Sequence, residues 1–190
     1  MLFTTLTTVL TSAALVAAAP TTNAPTGTLE RRSCTTQYPT NLFQVIEDSP
    51  NFNTGNHGYV YTAQGAGKTS RWISELQFTN VPANAYGCSV EFFFSHGQRV
   101  DNFGDGTRLE FFKADRDISL TDTWVNRPAK LFSVGTQVVS SSPTADTKLT
   151  TVTGSCAQTL NYLIEVQGDK AGSVGFFQGN GNGIRLTYNC

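Results

Sequence analysis

From Cys34 onward, apolar and polar residues alternate in short runs, with Gly, Asn, Asp and Pro clusters between them. Alternation of this kind sends successive side chains to opposite faces of a strand. It predicts strands at Asn41–Glu47, Tyr59–Gln64, Trp72–Phe78, Ser89–Ser95, Arg108–Ala114, Lys130–Val134, Lys148–Thr153, Leu160–Gln167, Ser173–Gln178 and Ile184–Tyr188. Between them lie runs such as Asn53-Thr54-Gly55-Asn56, Asp101-Asn102-Phe103-Gly104-Asp105-Gly106 and Gly179-Asn180-Gly181-Asn182-Gly183, whose residues tolerate positive φ or preset a turn. No helical period is sustained along the chain. About ten short strands with frequent turns predict an all-β fold, an antiparallel β-sandwich of jelly-roll-like form.

Three of these strands carry adjacent phenylalanines: Phe92-Phe93-Phe94, Phe111-Phe112 and Phe176-Phe177. Alternation places Phe92 and Phe94 on one face and Glu91 with Phe93 on the other. In the same way Leu109 and Phe111 oppose Glu110 and Phe112. If the two Glu-bearing faces coincide, Glu91, Phe93, Glu110 and Phe112 form a surface that can stack sugar rings and bond their hydroxyls. The alternative is that a loop or a second layer covers the rings, since large exposed apolar patches are uncommon. Trp72 opens a strand and is expected in the core. Trp124 sits in the loop-like run Thr121–Ala129 and is a further candidate for the ligand surface.

The N-terminal segment changes the picture from fold to compartment. Leu2–Ala19 is apolar or small and uncharged, and Val16-Ala17-Ala18 offers small residues for signal-peptidase cleavage after Ala18. Residues 1–18 are therefore expected to be a signal peptide. Residues 19–32 form a Pro/Thr-rich linker or propeptide closed by the dibasic pair Arg31-Arg32, and residues 33–190 the β-sandwich domain. Four cysteines remain beyond that site, Cys34, Cys88, Cys156 and Cys190. An even number in a secreted chain argues for two disulfides, with three possible connectivities. A Cys34–Cys190 bridge would tie the terminal strands together and leave Cys88–Cys156 as an internal staple. The chain closes without a hydrophobic tail, so no lipid or membrane anchor is expected.

Composition narrows the partners. Of 190 residues only 14% are charged, with 13 Lys and Arg against 14 Asp and Glu. That balance lacks the basic excess that phosphate neutralisation demands of nucleic-acid binders. Chemical motifs are few. Gly65-Ala66-Gly67-Lys68-Thr69 resembles the end of a phosphate-binding loop, but its first glycine would fall at Thr62. Asp101–Phe112 starts like a calcium loop, yet Phe103 and Phe112 occupy two ligand positions. The two histidines, His57 and His96, sit in Gly-flanked loops, with no nucleophile elbow in the chain. No cofactor or metal is expected. Glu91 and Glu110 are the one carboxylate pair worth testing for glycoside hydrolysis, which needs two carboxylates at a fixed separation.

The ordered pieces Arg31-Arg32-Ser33-Cys34, Leu76-Gln77-Phe78-Thr79-Asn80-Val81-Pro82 with Gly87-Cys88, Trp124 through Pro128-Ala129, Ser155-Cys156 with Leu160–Val166, and Gly183–Cys190 span nearly the whole domain. In this order they resemble the fungal family called the ubiquitin-3-binding protein (But-two) C-terminal domain. The resemblance implies a secreted, disulfide-linked β-sandwich from a filamentous fungus, with no catalytic residues assigned. The expected function is that of a non-enzymatic extracellular or cell-wall-associated binding protein. Its ligand would be a wall polysaccharide or a surface protein, including one at a host surface. The alternatives are a hydrolase built on Glu91 and Glu110, or a binder of a ubiquitin-like activating enzyme, as the family name implies.

Overall fold

The computed structural model describes residues 33–179 and 181–190. The expected signal peptide (residues 1–18), the expected linker or propeptide (residues 19–32) and the expected processing positions Ala18, Arg31 and Arg32 lie outside the described residues. Among the described residues the regular structure is all strand: β1 (Thr35–Gln37), β2 (Asn41–Ile46), β3 (Tyr59–Gly65), β4 (Thr69–Phe78), β5 (Cys88–Phe94), β6 (Val100–Gly104), β7 (Arg108–Ala114), β8 (Lys130–Val138), β9 (Thr147–Gly154), β10 (Leu160–Val166), β11 (Gly172–Phe177) and β12 (Asn182–Tyr188). All ten expected strands are present. Two more appear. β1 is a three-residue polar strand paired to β12, too short to show a period. β6 occupies the Asp/Asn/Gly run expected to be a turn, where pairing with β11 overrides the local turn preference.

The strands pair antiparallel in two sheets. The first has the order β1-β12-β5-β9, the second β6-β11-β3-β4-β10-β7-β8, with β2 also paired to β4. Their inner faces enclose one large apolar cluster that includes Leu76, Phe78, Phe92, Phe94, Phe111, Ile164, Phe176, Ile184 and Leu186. Phe92 meets Phe111 and Phe176 edge-on at 5.8 and 5.6 Å, and Phe94 meets Phe176 at 5.5 Å. Each such pair contributes roughly 0.5–1.5 kcal/mol beyond the area it buries. At the far side, β8 and β9 approach so closely that a Cβ on Gly135 would lie 2.2 Å from the carbonyl oxygen of Thr151. Only glycine fits there.

A second, smaller cluster lies on the outer face of the larger sheet. Phe43, Val45, Ile73, Ala114 and Leu163 are covered there by Ile118 and Trp124 from the segment between β7 and β8. Asn161 pins that segment by donating from Nδ2 to Asp117 Oδ1 at 2.7 Å. Disulfides join Cys34 to Cys190, with Cα atoms 4.4 Å apart, and Cys88 to Cys156, at 5.2 Å. The separations of 156 and 68 residues correspond to about 4–5 kcal/mol each in the chain-entropy account.

Candidate functional site

The structure corrects the expected carboxylate surface. Glu91 and Phe93 lie on the outer face of the smaller sheet, Glu110 and Phe112 on the outer face of the larger one. The reason is the shared core: Phe92 and Phe111 meet between the sheets, so their strand neighbours must point away on opposite sides of the sandwich. Glu91 and Glu110 therefore cannot flank one glycosidic bond.

Glu91 is fully buried and fully engaged. Arg185 Nε donates to its Oε1 at 2.8 Å, and Lys148 Nζ lies 2.9 Å from its Oε2. The Arg185 guanidinium also covers the Phe93 ring at 3.8 Å. On the other side Lys130 Nζ sits 4.5 Å from the centre of the Phe112 ring, which packs against the second cluster. Glu110 is half-buried in β7. Trp124 is also half-buried against that cluster, with Arg127 and Arg71 over its ring at 3.8 and 4.7 Å. Phe93, Phe112 and Trp124 are thus occupied by cations or core, which leaves little ring surface for a ligand.

Open aromatic surface occurs elsewhere, along β6, β11 and β3. Phe103 is 78% exposed and Phe177 64% exposed. The register explains their shared face. Phe177 pairs with Tyr59, Gly175 with Tyr61, and Ser173 with both Ala63 and Phe103. Trp72, expected in the core, is half-buried and joins this face from β4 through its pairing with Ala63. Tyr61 and Trp72 meet edge-on at 5.4 Å, Tyr59 and Phe177 at 5.1 Å. A cavity of about 250 Å³ opens among Tyr61, Trp72, Phe103, Ser70 and Ser173.

Tyr59 is held in a set orientation. Its hydroxyl donates to Asp101 Oδ2 at 3.1 Å, and Arg99 Nη2 donates to the other oxygen at 3.1 Å. Burial, with the adjacent Asp101 carboxylate, raises the Tyr59 hydroxyl above its ordinary range, so it stays a donor. Gly175 makes room: a Cβ there would lie 2.3 Å from that hydroxyl oxygen. The side chain consequently lies across strand β11 and reaches Asp101, the β6 residue opposite Gly175.

A second cavity, of about 270 Å³, lies beside the segment that covers the larger sheet. Arg71, Arg127, Lys130, Glu165, Ile73, Leu163 and Pro128 are among the residues lining it. Arg71 binds Glu47 in a fork, at 3.1 and 3.0 Å, and Lys130 Nζ donates to Glu165 Oε1 at 2.7 Å. Nearby, Glu75 is wholly buried and neither of its oxygens has a partner when ionised. Burial first, then the Asp122 carboxylate, pushes its pKa up to about 9. Asp122 itself is forked by Arg116 at 2.9 and 3.1 Å and accepts from the Ser119 amide at 2.9 Å.

The remaining motifs are structural. The Gly65–Thr69 run is the turn joining β3 to β4, anchored by the Gly67 amide donating to Asp169 O at 2.7 Å. His57 bonds Gln44 Oε1 at 2.8 Å, and His96 lies 3.5 Å from Asp146 on the surface. Among the described residues no group of three or more His, Cys, Asp or Glu is placed to hold a metal ion.

The residues that make the open aromatic face were not singled out from sequence. Tyr59-x-Tyr61 carries the right alternation, and Phe177 must oppose Phe176, so part of the face was readable. Phe103 was hidden, because its Asp, Asn and Gly neighbours spell a turn.

No curated protein matches the chain. A family does: residues 37–182 match the Ubiquitin 3 binding protein But2 C-terminal domain, a span that takes in β2 through β11 and leaves most of β1 and β12 outside. The chain belongs to the Ubiquitin 3 binding protein But2 C-terminal domain family.

Proposed function

We propose that this protein is a secreted, non-catalytic binding protein whose aromatic face on β3, β6 and β11 docks a cell-wall polysaccharide. The observation that carries the reading is the exposed Phe103 beside Tyr61 and Trp72, at the mouth of a cavity edged by Ser70 and Ser173. Exposed aromatic surface rimmed by polar groups is characteristic of binding sites. The C–H faces of a sugar ring pack on aromatic rings, while its hydroxyls need polar partners at the edge. Serine hydroxyls and the Asp101 carboxylate supply such partners here. Two disulfides suit an oxidising compartment, and the N-terminal sequence supports export.

Trp72 makes the test direct. Titration with soluble chitin and β-1,3-glucan oligosaccharides should shift tryptophan emission saturably for one of the two series. In Trp72→Phe the shift should vanish, although Trp124 still fluoresces. An unchanged spectrum with both series would count against the reading.

A protein ligand is the second reading, favoured by the family's description and by the exposed Leu131 and Phe132 on the edge strand β8. Binding to ubiquitin, lost in Phe132→Ser and kept in Trp72→Phe, would promote it over the first.

A further inference from the structure

Strand β7 carries a lysine where its alternation calls for an apolar residue. Leu109, Phe111 and Lys113 follow one another on the inner face of the larger sheet, and Lys113 pairs with Tyr162, a member of the apolar cluster between the sheets. Lys113 is half-buried, with its Nζ 5.4 Å from the centre of the Tyr162 ring. Lys130 and Lys148 each have a carboxylate within 3 Å, at 2.7 and 2.9 Å. Among the described residues Lys113 has none in ion-pair contact. Asp117 acts on it only at a distance and already accepts from Asn161. Burial lowers the Lys113 pKa from its ordinary 10.5, and Asp117 offsets only part of that. An ammonium drawn from water without a counter-ion is costly, so an anionic partner is favoured there.

The surroundings of Lys113 are apolar and open. A third cavity, of about 400 Å³, is lined by Lys113, Phe132, Val134, Val152, Leu160 and Tyr162 among others. Val152, Leu160 and the Tyr162 ring form a closed floor, since each is buried. The accessible walls are the half-buried Lys113 and Val134 and the 60% exposed Phe132. The register explains the opening. Pairing between β7 and β8 shifts on both sides of Phe112, so β8 bulges along the stretch that includes Phe132. A small anion would pair with Lys113 and leave the apolar walls wet. An uncharged hydrocarbon would cover the walls and leave the ammonium unpaired. Only an anion with an apolar tail answers both.

We propose that this cavity binds a medium-chain aliphatic carboxylate, its carboxylate on Lys113 and its hydrocarbon chain against Phe132 and Val134. At roughly 30 Å³ for each non-hydrogen atom, the share of a water in the liquid, the cavity holds about a dozen such atoms, the size of decanoate. The site lies on β7 to β10, apart from the aromatic face on β3, β6 and β11, so either can fail without the other.

The test is calorimetric titration of the oxidised protein at low ionic strength with sodium decanoate, kept below its micelle concentration. Decanol, decylamine and acetate are the comparators. Decanoate should bind about tenfold more tightly than decanol, the worth of one charge-assisted hydrogen bond. Decylamine should bind more weakly than decanol, and acetate more weakly than decanoate by at least tenfold, having no tail to bury. Lys113→Met should remove the preference for decanoate over decanol. Methionine suits an inward position, so its Tm should be no lower than that of the wild type, and loss of the preference would not reflect misfolding. Lys113→Arg, which keeps the charge, should retain the preference. No binding of decanoate, equal binding of decanol, decylamine or acetate, or a preference for decanoate that survives Lys113→Met would each overturn the proposal.

Discussion

Glu75 gives the sharpest physical prediction. Its carboxyl is wholly buried under the segment between β7 and β8, with Asp122, Arg116 and Arg127 as its charged surroundings, and its pKa is pushed up to about 9. The folded protein therefore keeps Glu75 protonated at neutral pH, while the unfolded chain ionises near the ordinary value of 4.5. Below pH 4.5 both states hold the proton and the group leaves stability unchanged with pH. Between 4.5 and about 9 only the unfolded state releases it, so stability falls as pH rises. The slope is about 1.4 kcal/mol per pH unit, which amounts to about 3 kcal/mol lost by pH 7 and about 6 by pH 9. Glu75→Gln removes the titration, and its amide can still donate to Asp122 as the protonated carboxyl does. Urea unfolding of both proteins from pH 5 to 9 should show the variant gaining on the wild type by about 1.4 kcal/mol per unit. A constant difference across that range would refute the assignment of a neutral buried Glu75.

Other consequences follow from close contacts. Gly135→Ala forces β8 away from the Thr151 carbonyl and should destabilise by about 1–3 kcal/mol, read as a lower urea midpoint. Glu91→Gln leaves Arg185 and Lys148 without their carboxylate and should lower Tm, at a cost of roughly 1–3 kcal/mol. The double substitution Cys88→Ala with Cys156→Ala should cost about 4 kcal/mol in the chain-entropy account, measured by denaturant unfolding with the other disulfide intact. Gly175→Ala displaces the Tyr59 ring from β11 and should weaken binding at the aromatic face several-fold while changing Tm little, as seen by oligosaccharide titration.

Most of the fold was legible because its core strands alternate cleanly. Val90, Phe92 and Phe94 face inward by period two alone, and so do Leu109 and Phe111. The strands that escaped notice, β1 and β6, are edge strands with polar or turn-forming residues, where pairing to β12 and β11 decides the conformation. The site was legible only in part. Alternation correctly gave which neighbours of Phe92 and Phe111 point outward, but not that the two strands belong to different sheets. Sheet membership depends on long-range pairing, and no local pattern encodes it. Sequence also could not show that Phe93, Phe112 and Trp124 would each be capped by a cation. Arg185 lies 92 residues from Phe93 and reaches it only because β12 pairs with β5. Phe103 was missed for the converse reason: its neighbours are polar, so nothing nearby marked it as part of an aromatic surface.

The central claim is that the face bearing Phe103, Tyr61 and Trp72 captures a polysaccharide. Oxidised protein would be incubated with insoluble chitin, β-1,3-glucan and plant cell wall, and the depleted fraction measured for wild type and Phe103→Ser. The account predicts saturable depletion by one polymer in preference to the others. A lost ring contact is worth roughly 0.5–1.5 kcal/mol, so Phe103→Ser should weaken that binding about two- to tenfold without lowering Tm. No depletion by any polymer, or depletion indifferent to Phe103, would contradict it.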